Sequence, residues 1–269
     1  MHRSIPLLLN TDAIEVWPAP LLRAHGNADA RLLARADWVL RRKRDGRYLA
    51  AVLDQGVHSL IAQLPREPGT AEALDALSWL DPARGAGALD THLLSPQGLR
   101  DRLEPLGLDA DAYADQSGLM LEPEPVLLHY AGRDRFHRPL WLRRAAALAW
   151  RRMRLQAARN GVALDAISGY RSHAYQLGIF ERKRARGQQV EQILQVNAAP
   201  GFSEHHSGMA LDIGTPGEPP AETSFEHSPA FAWLQEHAHR HGFRMSYPQG
   251  NPHGIVYEPW HWRWHPAGA

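Results

Sequence analysis

Apolar residues recur at different spacings in the two halves of the chain. In the first half, Trp38-Val39-Leu40 and Tyr48–Leu53 flank Lys43-Arg44-Asp45-Gly46, and an Asp-Gly step between apolar runs predicts a β-hairpin. Short helices are predicted near Ala71–Leu80 and from Pro96 to Leu103, the second capped by Ser95 with proline just inside its start. Leu121-Glu122-Pro123-Glu124-Pro125 predicts a linker, because alternating prolines remove amide donors and resist both helix and sheet. Beyond it, Leu142, Ala146, Ala149, Met153 and Ala157 repeat at helical spacing inside a long helix predicted from Pro139 to Asn160. A strand from Ala166 runs into a turn at Gly169, and helices follow over 172–184, 190–196 and 229–240. Strands are predicted at Leu211–Ile213, Gly242–Tyr247 and Ile255–Trp264. The pattern divides the chain into residues 1–125, a mixed α+β region of open role, and residues 126–269.

One position breaks the apolar pattern of the second half. Asp212 lies between Leu211 and Ile213, and a carboxylate inside an apolar strand must be paired or metal-bound to offset its desolvation. It ends the stretch Ser203-Glu204-His205-His206-Ser207-Gly208-Met209-Ala210-Leu211-Asp212, which is answered near the C-terminus by Glu258-Pro259-Trp260-His261. Two imidazoles and one carboxylate, with a fourth position left to water, are the ligands of a catalytic zinc. A further glutamate nearby is the proton acceptor that metal-assisted hydrolysis requires. Gly208 permits the backbone angles by which the loop folds back towards Asp212. By spacing alone His206, His253 and His265 remain competing ligands, while His58 and His92 stand isolated. Arg171, a permanent cation, can grip a terminal carboxylate with two parallel hydrogen bonds or stabilise an oxyanion. Gln176 lies near the same end of that helix, where it can equally face solvent, and Trp260 reads first as core packing.

Composition narrows the classes. With 44% hydrophobic and 22% charged residues the chain can bury a packed core. A formal net charge of +1 gives no global electrostatic case for nucleic acid or an anionic membrane. The arginine-rich face of the long helix lacks interleaved aromatics and reads as a solvated face. With no cysteine, a metal site must come from His, Asp and Glu. Nothing approaches the ~20 apolar residues of a membrane span. The run Ile5–Leu9 is shorter than a secretory core, so the expected compartment is the cytoplasm, with export by a route or start site outside this sequence as the alternative.

Ser203-x-His205-x-x-Gly208-x-Ala210-x-Asp212 with Glu258-x-Trp260-His261 resembles the VanY-type D-alanyl-D-alanine carboxypeptidases, zinc enzymes of bacterial cell-wall metabolism. Ser168-Gly169-Tyr170-Arg171-Ser172, with Gln176 shortly after, is similar to that family's substrate-binding stretch. The likeness runs from about Tyr130 to Trp264 and leaves the first 125 residues open. It implies an α+β fold, a small antiparallel sheet flanked by helices, as in zinc D,D-peptidase and hedgehog-like catalytic domains. It further implies that His205, Asp212 and His261 hold Zn2+ and that Glu258 is the catalytic base. Arg171 would meet the substrate in a catalytic role, with Gln176, Ser203 and Trp260 beside it. This selects His205 over His206 and His261 over His265. The crowding of Trp260, Trp262 and Trp264 departs from the family pattern and would narrow the pocket. The function implied is removal of a C-terminal D-alanine from a peptidoglycan stem peptide or muropeptide. The alternatives are an L,D-carboxypeptidase, a D-Ala-D-Ala dipeptidase, and a non-catalytic wall-peptide binding module, against which the presence of Glu258 speaks.

Overall fold

The computed structural model describes residues 6–80, 86–96 and 98–266. It forms two compact units, one of Met1–Leu94 with Pro125–Tyr130 and one of Ser95–Glu124 with Ala131–Ala269.

The first unit is an antiparallel sheet. Its strands are β1 (Leu7–Asn10), β2 (Ile14–Pro18), β3 (Trp38–Arg42), β4 (Tyr48–Leu53) and β5 (Gly56–Ser59), joined by the start of β6 (Leu127–Arg133). They lie in the order β5-β4-β3-β2-β1-β6. The predicted hairpin is present, with Gly46 at φ 73° in the turn between β3 and β4. Helix α1 (Asn27–Leu33) lies between β2 and β3, and α2 (Thr70–Leu77) packs Ala73 and Ala76 onto Leu9, Ile14 and Leu40.

The second unit begins with α3 (Leu99–Leu103) and α4 (Ala110–Ser117). Helix α3 starts after Gly98, in the left-handed region, rather than at Ser95, and Gln97 lies outside the described residues. The units therefore divide differently from 1–125 and 126–269. Leu99, Leu103, Ala110 and Leu119 share a buried cluster with Ala198, Ala199, Phe202, Tyr247 and Ile255, so apolar burial ties this segment to the second unit. The division between the units falls inside the predicted linker, between Glu124 and Pro125, and Leu121–Glu124 packs within the second unit. The Glu122 amide donates to the Gly201 carbonyl, and Glu124 is buried with both carboxylate oxygens engaged.

Strand β7 (Pro139–Leu142) occupies the start of what the sequence predicts as helix, and α5 spans Arg144–Arg159. Leu140, Trp141 and Leu142 are buried in succession, which suits a covered strand, and proline is tolerated as the strand's first residue. Then follow β8 (Asp165–Ser168), α6 (His173–Ala185), α7 (Val190–Leu194), β9 (Ala210–Gly214), α8 (Pro229–His237), β10 (Phe243–Met245) and β11 (His261–Trp264). The sheet order is β10-β11-β9-β8, antiparallel throughout. Leu211, Ile213 and Trp262 on one face meet Trp150, Met153 and Leu234 in the main core. The opposite face carries Asp212 and His261. The last strand is shorter than predicted because Pro259 has no amide to give a ladder, and the His261 amide instead closes a turn onto the Glu258 carbonyl. Among the described residues no helix is long and apolar enough to cross a membrane.

Candidate active site

Sheet register assembles the centre. Asp212 on β9 pairs directly with His261 on β11, so the strict alternation of strand side chains puts both on the same face. His205 reaches them from the single helical turn Glu204–Ser207, which Gly208 ends at φ 67°, an angle a side chain would strain. Asp212 Oδ1 lies 3.2 Å from His205 Nε2 and 3.1 Å from His261 Nδ1. The three ligand atoms fall within 4.8 Å of one another, and all three residues are buried.

Each imidazole is fixed from behind. His205 Nδ1–H donates to the Gly169 carbonyl at 2.7 Å, and His261 Nε2–H donates to Glu204 Oε2 at 2.8 Å. Gly169 can bring its carbonyl there because it has no Cβ, which would sit 2.7 Å from Leu140 and 3.0 Å from the Trp141 carbonyl. Ring nitrogens held outward by a carbonyl and a carboxylate leave the inward lone pairs for a cation, the usual support of metal-bound histidine. Glu204 escapes prediction from the sequence, where it is one more polar residue in a loop. Its signal is adjacency to His205, and its partner lies 57 residues away.

The donor set fits zinc. A tetrahedral ion with ligand bonds of about 2.0–2.1 Å spaces its ligand atoms about 3.3 Å apart, close to the two separations around Asp212 Oδ1. Electrostatics agree. Asp212 is held well below the usual carboxylate range, its burial outweighed by His205, His261 and Arg171. Burial, helped by Arg171, lowers His205 to about 4, which keeps it neutral and able to ligate. Burial would lower His261 too, but its bonds to Asp212 and Glu204 raise it to about 10. Metal-free, that ring carries a proton which zinc must displace.

Glu258 sits in the turn before β11 with Oε2 3.8 Å from His261 Nδ1. Burial pushes its carboxyl up to about 7, with His261 opposing and Asp212 adding to the rise. A cavity of about 320 Å³ opens beside it, lined by Arg171, Gln176, Ser203, Tyr247 and Trp260 with the three ligands. That is the small end of the range for ligand sites. Arg171 Nη2 lies 3.7 Å from Asp212 Oδ2. Among the described residues, Arg171 Nε and Gln176 Oε1 are buried in this wall without a hydrogen-bond partner. Unpaired buried donors and acceptors are costly, and a ligand that pairs them recovers that cost. Gln176 is buried, not solvent-facing, and its amide NH2 donates to the Ala198 carbonyl.

Two of the competing histidines, His206 and His253, are otherwise engaged. His206 Nδ1–H donates to the Arg171 carbonyl at 2.6 Å, and its Nε2 accepts from the Gly201 amide. Burial and then His173 hold it well below the usual imidazole range. His253 Nδ1 lies 2.9 Å from the Ser117 carbonyl. Tryptophan crowding is lighter than the sequence suggests. Trp262 turns into the core, Trp264 packs against it, and Trp260 both touches that core and lines the pocket.

Residues 139–267 match the family described as VanY: D-alanyl-D-alanine carboxypeptidase. YodJ of Bacillus subtilis (strain 168), a carboxypeptidase by name, is 35% identical over 134 residues, 46% of this chain and 46% of its own. A D-alanyl-D-alanine carboxypeptidase of Enterococcus faecium is 41% identical over 66 residues, 24% of this chain and 20% of its own. The chain thus spans less than half the length of these curated relatives. A solved structure of the vancomycin-resistance D,D-pentapeptidase VanY in complex with Zn(II) is 26% identical with a TM-score of 0.40, covering 56% of this chain and 80% of that one. Residues 139–267, just under half of the chain, are thus similar to the VanY D-alanyl-D-alanine carboxypeptidase family.

Proposed function

We propose that the protein is a zinc-dependent carboxypeptidase that removes a C-terminal D-alanine from peptidoglycan stem peptides or their fragments. The observation that carries this reading is the sharing of Asp212 Oδ1 by His205 and His261, with Glu258 beside them in an otherwise buried wall. Zinc held by His205, Asp212 and His261 would supply Lewis acidity at the scissile carbonyl and lower the pKa of the attacking water. Glu258 takes the proton of that water as the new C–O bond forms. It then gives the proton to the leaving amino group of the terminal D-alanine as the C–N bond breaks. A carboxyl raised to about 7 by burial suits both halves of this task, since it binds and releases a proton near neutrality. Arg171 grips the substrate's terminal carboxylate, and the unpaired Gln176 Oε1 offers an acceptor to a substrate N–H. The 320 Å³ pocket favours a small terminal residue.

The test is incubation of the purified protein with muropeptides ending in D-Ala-D-Ala, and with tetrapeptides ending in a single D-alanine, each with and without a chelator. Release of D-alanine that stops on chelation and returns with zinc is the expected result. Hydrolysis that survives complete metal removal, or none with either substrate, overturns the reading.

A further inference from the structure

The segment Leu121–Glu124 precedes the family-matched residues 139–267, yet both of its carboxylates reach the site's supports. Arg263 Nη1 bonds Glu122 Oε1 and also lies 3.4 Å from Glu204 Oε1. Glu204 in turn holds His261 through Oε2, which also accepts from Ser246 Oγ at 2.6 Å. Glu122 therefore keeps the guanidinium shared between two carboxylates. Without it, Arg263 would turn fully to Glu204 and compete with the His261 bond that aims Nδ1 at Asp212. Glu124 acts on the other wall. Its Oε1 accepts from the His173 amide at 2.8 Å and its Oε2 from the Tyr170 hydroxyl, so it clamps the chain on both sides of Arg171. The His173 ring packs edge-on against His206, 4.4 Å away, and His206 bonds the Arg171 carbonyl. With its backbone held from both sides, Arg171 presents its guanidinium to the pocket.

We propose that Glu122 and Glu124 are positioning residues of the site: Glu122 orients the zinc ligand His261 through Arg263 and Glu204, and Glu124 orients Arg171 through Tyr170 and His173. The inference rests on the zinc-site reading above. It makes the irregular segment Leu121–Glu124, ahead of the family-matched residues, a working part of the centre, with separate effects on metal and on substrate.

The two arms give a double dissociation that a merely structural role would not produce. Zinc affinity is measured by chelator competition, the ligand field by the absorption spectrum of the cobalt(II) form, and kcat and KM on a D-alanine-terminated muropeptide. Glu122→Gln is expected to weaken zinc binding about 10-fold and shift the cobalt spectrum while leaving KM unchanged. In a Glu204→Gln background it should add nothing further, since both act on the same ring. Glu124→Gln is expected to keep zinc affinity and the cobalt spectrum and to raise KM about 10-fold. Should Glu122→Gln fail to fold, Arg263→Lys tests the same link and should reproduce the affinity loss. Wild-type zinc affinity in Glu122→Gln, or equal losses of both kinds in both variants, overturns the proposal while the zinc site stands. A wild-type chain that binds no zinc overturns the site and the proposal together. A chain that binds zinc but hydrolyses no muropeptide overturns the Glu124 arm and leaves the Glu122 arm to the affinity measurement.

Discussion

The two units use histidine and carboxylate to different ends. In the first, His129 Nε2 meets Asp90 Oδ1 at 2.6 Å, one ring to one acid, while His25, His58 and His92 are exposed. In the second, His173, His205, His206 and His261 are all buried, and two of them share one oxygen of Asp212. A pair in which each partner answers the other is complete as it stands. Two imidazoles on one carboxylate oxygen gather three donors around a single point, and their outer nitrogens are already committed. Burial raises the stakes further, because charge held away from water must find a partner nearby. Convergence on one point, rather than the number of histidines or acids, separates a structural pair from a chemical centre.

The comparison breaks most sharply at Glu258. Glu258→Gln is expected to retain zinc but lose turnover at least ~10²-fold, because the proton shuttle is gone while the ligands remain. His129→Ala in the first unit should leave both zinc content and turnover unchanged. Metal analysis beside steady-state kinetics decides this, and near-normal hydrolysis by Glu258→Gln would sink the mechanism. In the active enzyme, rates should rise with pH as the Glu258 carboxyl ionises, on a limb at or below about 7, since a nearby cation can only draw that value down.

Arg171 comes next in size. Arg171→Ala and amidation of the substrate's C-terminus should each lower kcat/KM about 10- to 100-fold, the range for a hydrogen bond to a charged group. Combined, they should cost little more than either alone, because both remove one interaction. Fully additive losses would assign Arg171 to the oxyanion instead.

A metal held at this site would also link folding to pH. His261 is raised from its ordinary value to about 10 in the metal-free protein. Its contribution to metal-free stability is therefore fully present below about pH 6.5 and fades as pH rises towards 10. Zinc needs the neutral ring, so its apparent affinity should climb about tenfold per pH unit between roughly 7 and 10. Competition titrations across that window check the slope, and a flat profile contradicts the charged metal-free ring. At saturating zinc the folded state should gain about 4 kcal/mol at a thousandfold excess over Kd, seen as a Tm lowered by chelation.

The smallest effect expected is in the first unit. Replacing His129 with alanine should cost on the order of 1 kcal/mol through the lost Asp90 contact and leave the zinc dependence of Tm unchanged. A change in zinc affinity there would erase the contrast between the units.

By itself the sequence pointed to the residues of the candidate site and to the small antiparallel sheet. Asp212 stood out because a charge between Leu211 and Ile213 violates the strand's own pattern. His205, His261 and Glu258 followed from its company and from the likeness to a known family. The hairpin at Asp45-Gly46 and the helix over 173–185 were equally legible, because turn chemistry and capping act within a few residues. Tertiary structure decided what depends on partners distant in sequence. It turned Pro139–Leu142 from helix to strand and ended the last strand short of Glu258. It took His206 out of contention by giving both ring nitrogens to backbone groups, which no spacing could reveal. It also gave the carboxylates of Leu121–Glu124 partners inside the second unit. Alternating prolines say only that a segment will not form regular structure, whereas the carboxylates between them find Arg263 and Tyr170 only once the chain has folded over them.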